Sequence, residues 1–367
     1  MFFLKKIKLN NFRCYSNKIY EFKPGKNIIT GQNAVGKTSL VEAIYCLCFG
    51  KSFRDINDVD LIKKNNDYFY ILGEFYGKEN DMISLSYDKS KKIVEKNNKK
   101  IKSLSEYLGY FNIVVFSPDD LEMVKGSPAN RRKFLDVNIS QIDKVYLNSS
   151  IRYKKILKER NELLKNSELD SYNEELLNIL TNTLIDEAKV IIKKRTGFVD
   201  MLNEILKVKH YQISSGTEEV QIVYKPKNNV ENLLKVSKER HSFDIINKTT
   251  TWGPSRDDFS FYMNGQDAST YCSQGQIRSI CLSLKLALVD LIEKYNEKII
   301  VVLDDVFSEL DVVRQNKLLN MLSNEKQTFI TTTSIEALTD DVKRDSNLIE
   351  IIGGKTNEWV WWWKINR

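Results

Sequence analysis

Near its start the chain alternates. In FFLKKIKLNNF, residues 2–12, apolar side chains recur at nearly every second position, the period of a strand with one buried face. This segment reads as an edge strand, with Ile19–Phe22 as its hairpin partner. Asn27–Thr30 reads as a short buried strand, Gly31–Gly36 as a loop and Lys37–Phe49 as a helix. Residues 68–101 predict about three strands (YFYILGEFY, MISLSYD, KKIVEKN), with turns at Gly77-Lys78 and Asp88-Lys89. Ile113–Phe116 is another buried strand. It ends at Ser117-Pro118-Asp119-Asp120, a turn followed by a helix start. Ser127-Pro128 opens a further helix, ANRRKFLDVNI.

From about residue 141 to 165 and from 172 to 209 the apolar spacing becomes three to four, with dense mixed charge. The break at Asn166–Ser171 makes this a hairpin of two helices, the first about 37 Å long at 1.5 Å per residue. Residues 220–224 and 259–263 read as strands, Ser273–Lys294 as a helix, and Lys298–Leu303 and Phe329–Thr332 as buried strands. Leu348–Ile352 and Glu358–Trp363 read as a closing hairpin around Gly353-Gly354. Strands and helices alternate at both ends of the chain, and helices dominate the middle. The fold class is therefore α/β: residues 1–115 with 246–367 form one lobe, and residues 116–245 an inserted, mainly helical lobe.

Composition narrows the chemistry. The chain has 367 residues, 42% hydrophobic and 29% charged, as for a globular protein of two lobes. The formal charge of +7, from 56 basic and 49 acidic residues, favours a polyanionic partner without establishing one. The five cysteines (Cys14, Cys46, Cys48, Cys272, Cys281) form no CxxC pair, so disulfides and zinc are not expected and a reducing cytosol fits. Cys46 and Cys48 read as small buried hydrophobes. His210 and His241, the only histidines, leave little material for a histidine metal site or a Ser-His triad. Lys5, Lys6 and Lys8 follow the apolar start at once, so no signal peptide is expected, and no run of about 18 apolar residues predicts a membrane span.

Gly31-Gln32-Asn33-Ala34-Val35-Gly36-Lys37-Thr38 matches GxxxxGK(S/T), between an apolar strand and a helix, the context this phosphate loop requires. Its glycines let backbone N–H groups face the phosphates of ATP, and the helix dipole adds positive potential. Candidate nucleotide contacts are Gly31, Asn33, Gly36, Lys37, Thr38 and Ser39. Lys37 would reach the β- and γ-phosphates, and the Thr38 hydroxyl would bind Mg²⁺. Ile299–Leu303 ends in Asp304-Asp305. Asp304 would hold Mg²⁺ and Asp305 would orient or deprotonate the attacking water, which makes Asp305, Asp304 and Lys37 the candidate catalytic set. Ser273-Gln274-Gly275-Gln276 precedes a long helix about 30 residues before the acidic strand. It resembles the ABC signature, better known as LSGGQ, and adds Ser273, Gly275 and Gln276 to the nucleotide contacts. Ser308-Glu309-Leu310-Asp311 matches the D-loop.

Together with Leu9-Asn10-Asn11-Phe12-Arg13, Phe116-Ser117-Pro118-Asp119-Asp120-Leu121, Lys125-Gly126-Ser127-Pro128, Arg131-Arg132-Lys133-Phe134-Leu135-Asp136 and Gly253-Pro254-Ser255-Arg256-Asp257-Asp258, these motifs make nearly the whole chain similar to the SMC-like ABC ATPases of bacterial DNA recombination and repair. The resemblance implies an ABC-type head without a long coiled coil, in which the signature completes a partner's ATP site. It implies an ATP-dependent homodimer that binds double-stranded DNA near gaps or junctions and releases it on hydrolysis; the short reach of Asp305 and the missing histidine partner predict that this hydrolysis is slow and stimulated by DNA. It implies work with RecR and RecO to load RecA, and Arg13 near the nucleotide. The chain departs from its family or from the wider ABC pattern in four places, one of which, the missing histidine, related SMC-type heads share. Ser255 stands where the family usually has His. Thr331–Thr333 stand where transporters carry a histidine. Asp305 stands where transporters carry Glu. No Q-loop glutamine follows Phe116, so Asp119 or Asp120 would supply the metal-side contact.

Three features stay open between structure and function. The lysines of residues 78–102, eight against four acids, are a solvated hairpin or a DNA contact. Arg131-Arg132-Lys133 is a solvated helix face or a DNA contact. Trp359, Trp361, Trp362 and Trp363 pack a final strand or stack on bases. Rival functions are the ATPase subunit of a membrane transporter, a structural SMC-like protein, and an ATP-switched DNA clamp with negligible turnover. The 235 residues between Thr38 and Ser273 argue against the first, and the stubby helical hairpin against the second.

Overall fold

The computed structural model describes residues 1–352 apart from 55, 167–172, 215, 217, 323–324, 336–337 and 339. Contacts divide the chain into two compact units, Met1–Pro118 with the chain from Ile292 onward, and Asp119–Leu291. Residues 246–291 thus pack with the helical segment and not, as the patterning predicts, with the ATPase lobe. The reason is pairing: Asp258–Met263 lies antiparallel to Val220–Lys225, and Gln266–Asp267 completes a three-stranded sheet with them.

The first unit holds two sheets. One is five-stranded and wholly parallel, in the order Ser346–Glu350, Lys26–Thr30, Gln327–Thr332, Ile299–Asp304, Asn112–Phe116. Its central strands Ile299–Asp304 and Gln327–Thr332 are buried at every position, which is why Ile299–Leu303 runs apolar instead of alternating. The register sets Asp304 beside Thr331, bringing the acidic strand end to the phosphate-loop edge. The second sheet is antiparallel and six-stranded, and here the opening expectation is corrected. Phe3–Phe12 is an inner strand, flanked by Tyr15–Glu21 and Phe69–Tyr76, so the edge is Tyr15–Glu21. Alternation reports one buried face; it says nothing about how many neighbours the backbone has. Of the expected closing hairpin, Ser346–Glu350 runs parallel to Lys26–Thr30, and the partner strand with its tryptophans lies outside the described residues.

In the second unit the helices Lys144–Asn166 and Glu174–Ser214 pack together. Asp143 pairs with Lys194, Arg152 with Glu187, and Arg160 bonds Thr181, so one number rises as the other falls and the helices are antiparallel. The longer helix, 41 residues, spans about 60 Å at 1.5 Å per residue. Polar groups hold the interior. Arg195, almost fully buried, reaches Asp136 (2.9 Å), Asp257 (3.1 Å), Tyr146 Oη (3.0 Å) and the Pro254 carbonyl (2.8 Å). Arg160 and Asp244, both fully buried, pair at 2.9 Å, and Asp244 also accepts from Thr251 and Trp252.

Candidate functional site

The turn after Lys26–Thr30 is built from unusual backbone. Gly31 has φ +148°, Ala34 +63° and Gly36 +114°. A Cβ on Gly36 would lie 2.6 Å from Cys14 Sγ and 2.9 Å from Tyr15 Oη, so only glycine fits where the loop crosses the hairpin before it. Tyr15 Oη donates to the Gly36 carbonyl (2.9 Å) and pins the loop to that hairpin. The helix Lys37–Phe49 starts at once, with Gly36 as its N-cap and no acidic residue in its first turn. The dipole at this end is left uncompensated, as an anion site requires.

Around this turn lies a cavity of about 280 Å³, lined by Cys14, Asn33, Ala34, Gly36, Lys37, Thr38, Ser39, Arg54, Asp305, Thr331 and Thr333. Lys37 Nζ donates to the Gly31 and Gln32 carbonyls, each at 2.8 Å. Burial lowers its pKa, and Asp305 and Asp304 partly restore it. Thr38 Oγ1 donates to Asp304 Oδ1 (3.0 Å), and Thr331 Oγ1 donates to the same oxygen (2.8 Å). The Asp305 N–H donates to Thr331 Oγ1 (2.9 Å). Thr331, on the neighbouring strand, therefore holds both carboxylate residues. Burial raises the Asp304 pKa, an effect that the Thr331 and Thr38 hydrogen bonds and the Arg54 charge oppose. Asp305 sits at φ +55°, left-handed, a conformation that Asp tolerates better than Glu.

The first unit thus brings together Gly31, Asn33, Gly36, Lys37, Thr38, Ser39, Asp304 and Asp305. Ser273, Gly275 and Gln276 lie in the second unit. There Ser273 Oγ accepts from the Gln276 N–H (3.3 Å), and Gln276 Oε1 accepts from the Ser273 N–H (2.9 Å), a reciprocal cap. Arg13 is not among the residues lining the cavity. Its guanidinium makes a two-pronged pair with fully buried Glu42 (both contacts 2.8 Å) and donates to the Asp60 carbonyl (3.1 Å). Asp120 pairs with Lys285 at 2.7 Å within the second unit, and Asp119 is exposed.

Arg131-Arg132 is only in part a surface feature. Arg131 makes a two-pronged pair with Asp258 (2.6 and 2.9 Å), and Arg132 donates to the Asp257 carbonyl (2.9 Å). These contacts join two of the sequence motifs to each other, a pairing across 127 residues that no local pattern announces. Sequence reasoning also missed Arg54 and Cys14. Arg54 reaches the cavity from the turn after the phosphate-loop helix, where its N–H donates to Ser52 Oγ (2.9 Å) and Ser52 Oγ donates to Glu42 (2.5 Å). Neither residue belongs to a motif recognisable by spacing.

A phosphate loop at a helix N-terminus, two carboxylates ending the parallel strand one removed from it in the sheet, and a signature segment capping a second long helix define an ABC-type ATPase head. The chain belongs to the RecF/RecN/SMC family: the model of the RecF/RecN/SMC N-terminal domain matches residues 3–352. Among its relatives, the DNA replication and repair protein RecF of Bacillus mycoides (strain KBAB4) is 41% identical over 366 residues, covering 96% of this chain and 97% of the relative. The structure of the recombination mediator protein RecF with ATP, of the RecFOR pathway, superposes with a TM-score of 0.90 at 34% identity, over 97% of both chains. The Smc head domain of Pyrococcus furiosus, bound to the C-terminal domain of ScpA, shares the fold, with a TM-score of 0.54 at 18% identity over 96% of this chain and 95% of that one.

Proposed function

We propose that the chain is an ATP-dependent recombination mediator. It dimerises when ATP binds, holds double-stranded DNA near gaps or junctions, and acts with RecR and RecO to load RecA. The observation that carries this reading is that one phosphate loop and one signature segment per chain lie in different compact units. Two copies closing on each other pair them into two composite sites. The relatives' names and the RecF–ATP structure support the recombination role and the nucleotide.

In this reading the loop N–H groups and Lys37 bind the β- and γ-phosphates, and Ser273 and Gly275 of a second copy close over them. The Thr38 hydroxyl and the Asp304 carboxylate, 3.0 Å apart, are hard oxygen donors and fit Mg²⁺, which takes few protein ligands beside phosphates. The ion would neutralise phosphate charge when bound. Asp305, which lines the cavity, orients the attacking water and accepts its proton. Thr331 keeps Asp304 and Asp305 in register, and Arg54 adds positive charge to the phosphate side. Arg13 serves through Glu42 and Ser52, which fix the turn that delivers Arg54.

For DNA, exposed Lys91, Lys99, Lys100 and Lys102 remain the candidates, since Arg131 and Arg132 are engaged internally. The test is gel filtration with light scattering, with and without ATP and a short duplex, on wild type, Lys37→Ala and Ser273→Arg. The reading expects an ATP-dependent dimer from wild type alone, with Ser273→Arg still binding ATP as a monomer. A dimer formed equally well without ATP, or by Ser273→Arg with ATP, refutes it.

A further inference from the structure

The signature helix Gln274–Glu293 is tied at three levels to the long helix Glu174–Ser214 and the chain just beyond it. Lys209 Nζ pairs with Asp290 (2.6 Å), His210 Nδ1 lies 3.1 Å from Ser283 Oγ, and Gln276 Nε2 donates to Glu218 Oε1 (2.9 Å). The other oxygen of Glu218 sits 3.3 Å from Nε2 of fully buried His210. Ser283 Oγ and Ser279 Oγ in turn donate to the Ser279 and Gly275 carbonyls (2.7 and 3.1 Å).

The amide of Gln276 has one satisfactory orientation here. Its oxygen faces a backbone N–H donor, that of Ser273, and its nitrogen faces a carboxylate that can only accept. Turning the amide over would set two donors and two acceptors against each other. Both ends of the side chain are therefore spent inside the protein. Ser273, with its hydroxyl on the Gln276 N–H, is left exposed at the helix start. Without Glu218 the amide loses the partner that selects its orientation, and the Ser273 N–H loses a fixed acceptor.

We propose that Glu218 is a positioning residue for the signature segment. It locks the Gln276 amide, which holds the Ser273 backbone so that Ser273 and Gly275 meet the nucleotide of a second copy in one fixed arrangement. Gln276 then acts as scaffold. This rests on the composite-site reading above.

The experiment measures duplex-stimulated ATP turnover, monomer ATP affinity and melting temperature for Glu218→Met, which keeps bulk without the acceptor, and Glu218→Gln, which keeps an amide oxygen for Gln276 Nε2. Glu218→Met is expected to lose roughly ten-fold or more in turnover, in line with the cost of misplacement near an ångström, at unchanged ATP affinity and melting temperature. Glu218→Gln stays within about two-fold, and in a Gln276→Ala background Glu218→Met costs nothing further. Wild-type turnover in Glu218→Met, equal losses in Met and Gln, or additive losses with Gln276→Ala overturn the proposal. Ser273→Arg separates the two layers. If it turns ATP over at the wild-type rate, the composite-site reading fails and this proposal with it. If it is inactive while Glu218→Met is fully active, only the role of Glu218 fails.

Discussion

Replacing Asp136 by Asn tests whether the basic and acidic residues of the family motifs are a structural hub. Asp136 follows Arg131-Arg132-Lys133 by a few residues, and its carboxylate is mostly buried. Burial by itself pushes the carboxyl pKa up. The charges of Arg195 (2.9 Å) and Lys154 (2.8 Å), with the Tyr146 hydroxyl (2.5 Å), outweigh that and hold it at about 2, against an ordinary 3.8. At roughly 1.4 kcal/mol per pH unit, this difference corresponds to about 2 kcal/mol favouring the folded state near neutrality. Because the folded pKa is depressed, that stabilisation is present above the ordinary carboxyl range and is lost as pH falls toward 2. By pH 3 it should be about half its neutral value. Asn keeps the shape, and Asp257 still faces Arg195, so the guanidinium is not stranded. Urea unfolding at pH 7 should place Asp136→Asn roughly 2–3 kcal/mol below wild type, with the gap about halved at pH 3. Equal stability at pH 7, or a gap that widens on acidification, refutes the reasoning.

Gly36→Ala should abolish ATP binding while the rest of the chain stays folded, because its Cβ would meet Cys14 Sγ at 2.6 Å in a backbone region closed to L residues; wild-type affinity by titration counts against the loop geometry. Thr331→Val removes the hydroxyl that holds Asp304 and the Asp305 N–H, so turnover should fall and the fold lose about 1–3 kcal/mol, read by single-turnover hydrolysis and melting; an unchanged rate argues that the carboxylates need no such brace. Asp305→Asn should trap the closed dimer on DNA with ATP bound, measured as dimer lifetime, and hydrolysis at the wild-type rate would move the catalytic role elsewhere. Duplex affinity should fall with salt at a log–log slope near −5 if about 6 phosphates are neutralised, and Lys99→Glu with Lys100→Glu should flatten it; a salt-independent affinity contradicts phosphate contact.

Much of this protein is legible residue by residue. The five-residue apolar run Ile299–Leu303, closed by two carboxylates, marks Ile299–Asp304 as a buried parallel strand, because a strand covered on both faces has no reason to alternate. The phosphate loop is legible by its spacing of glycines, lysine and threonine, and its glycines answer to the backbone angles and the close approach of that turn. What binds Thr38 to Asp304 across 266 residues was predictable because the family order of motifs already implies one site. The rest was decided by partners remote in sequence and unmarked by any spacing. Whether Phe3–Phe12 was an edge or an inner strand depended on Phe69–Tyr76 pairing with it, and alternation cannot see a hydrogen-bonded neighbour. Whether Arg131 faced solvent or Asp258 depended on bringing two motifs together; on a helix surface a buried and an exposed arginine are written alike. Arg54, Thr331 and Glu218 gain their roles only from what the tertiary fold sets beside them: a cavity, a pair of carboxylates and the amide of Gln276. Local pattern specifies the conformation of a segment, because backbone geometry and burial act on neighbours in the chain. The identity of a contact is a property of packing, and only the assembled fold contains it.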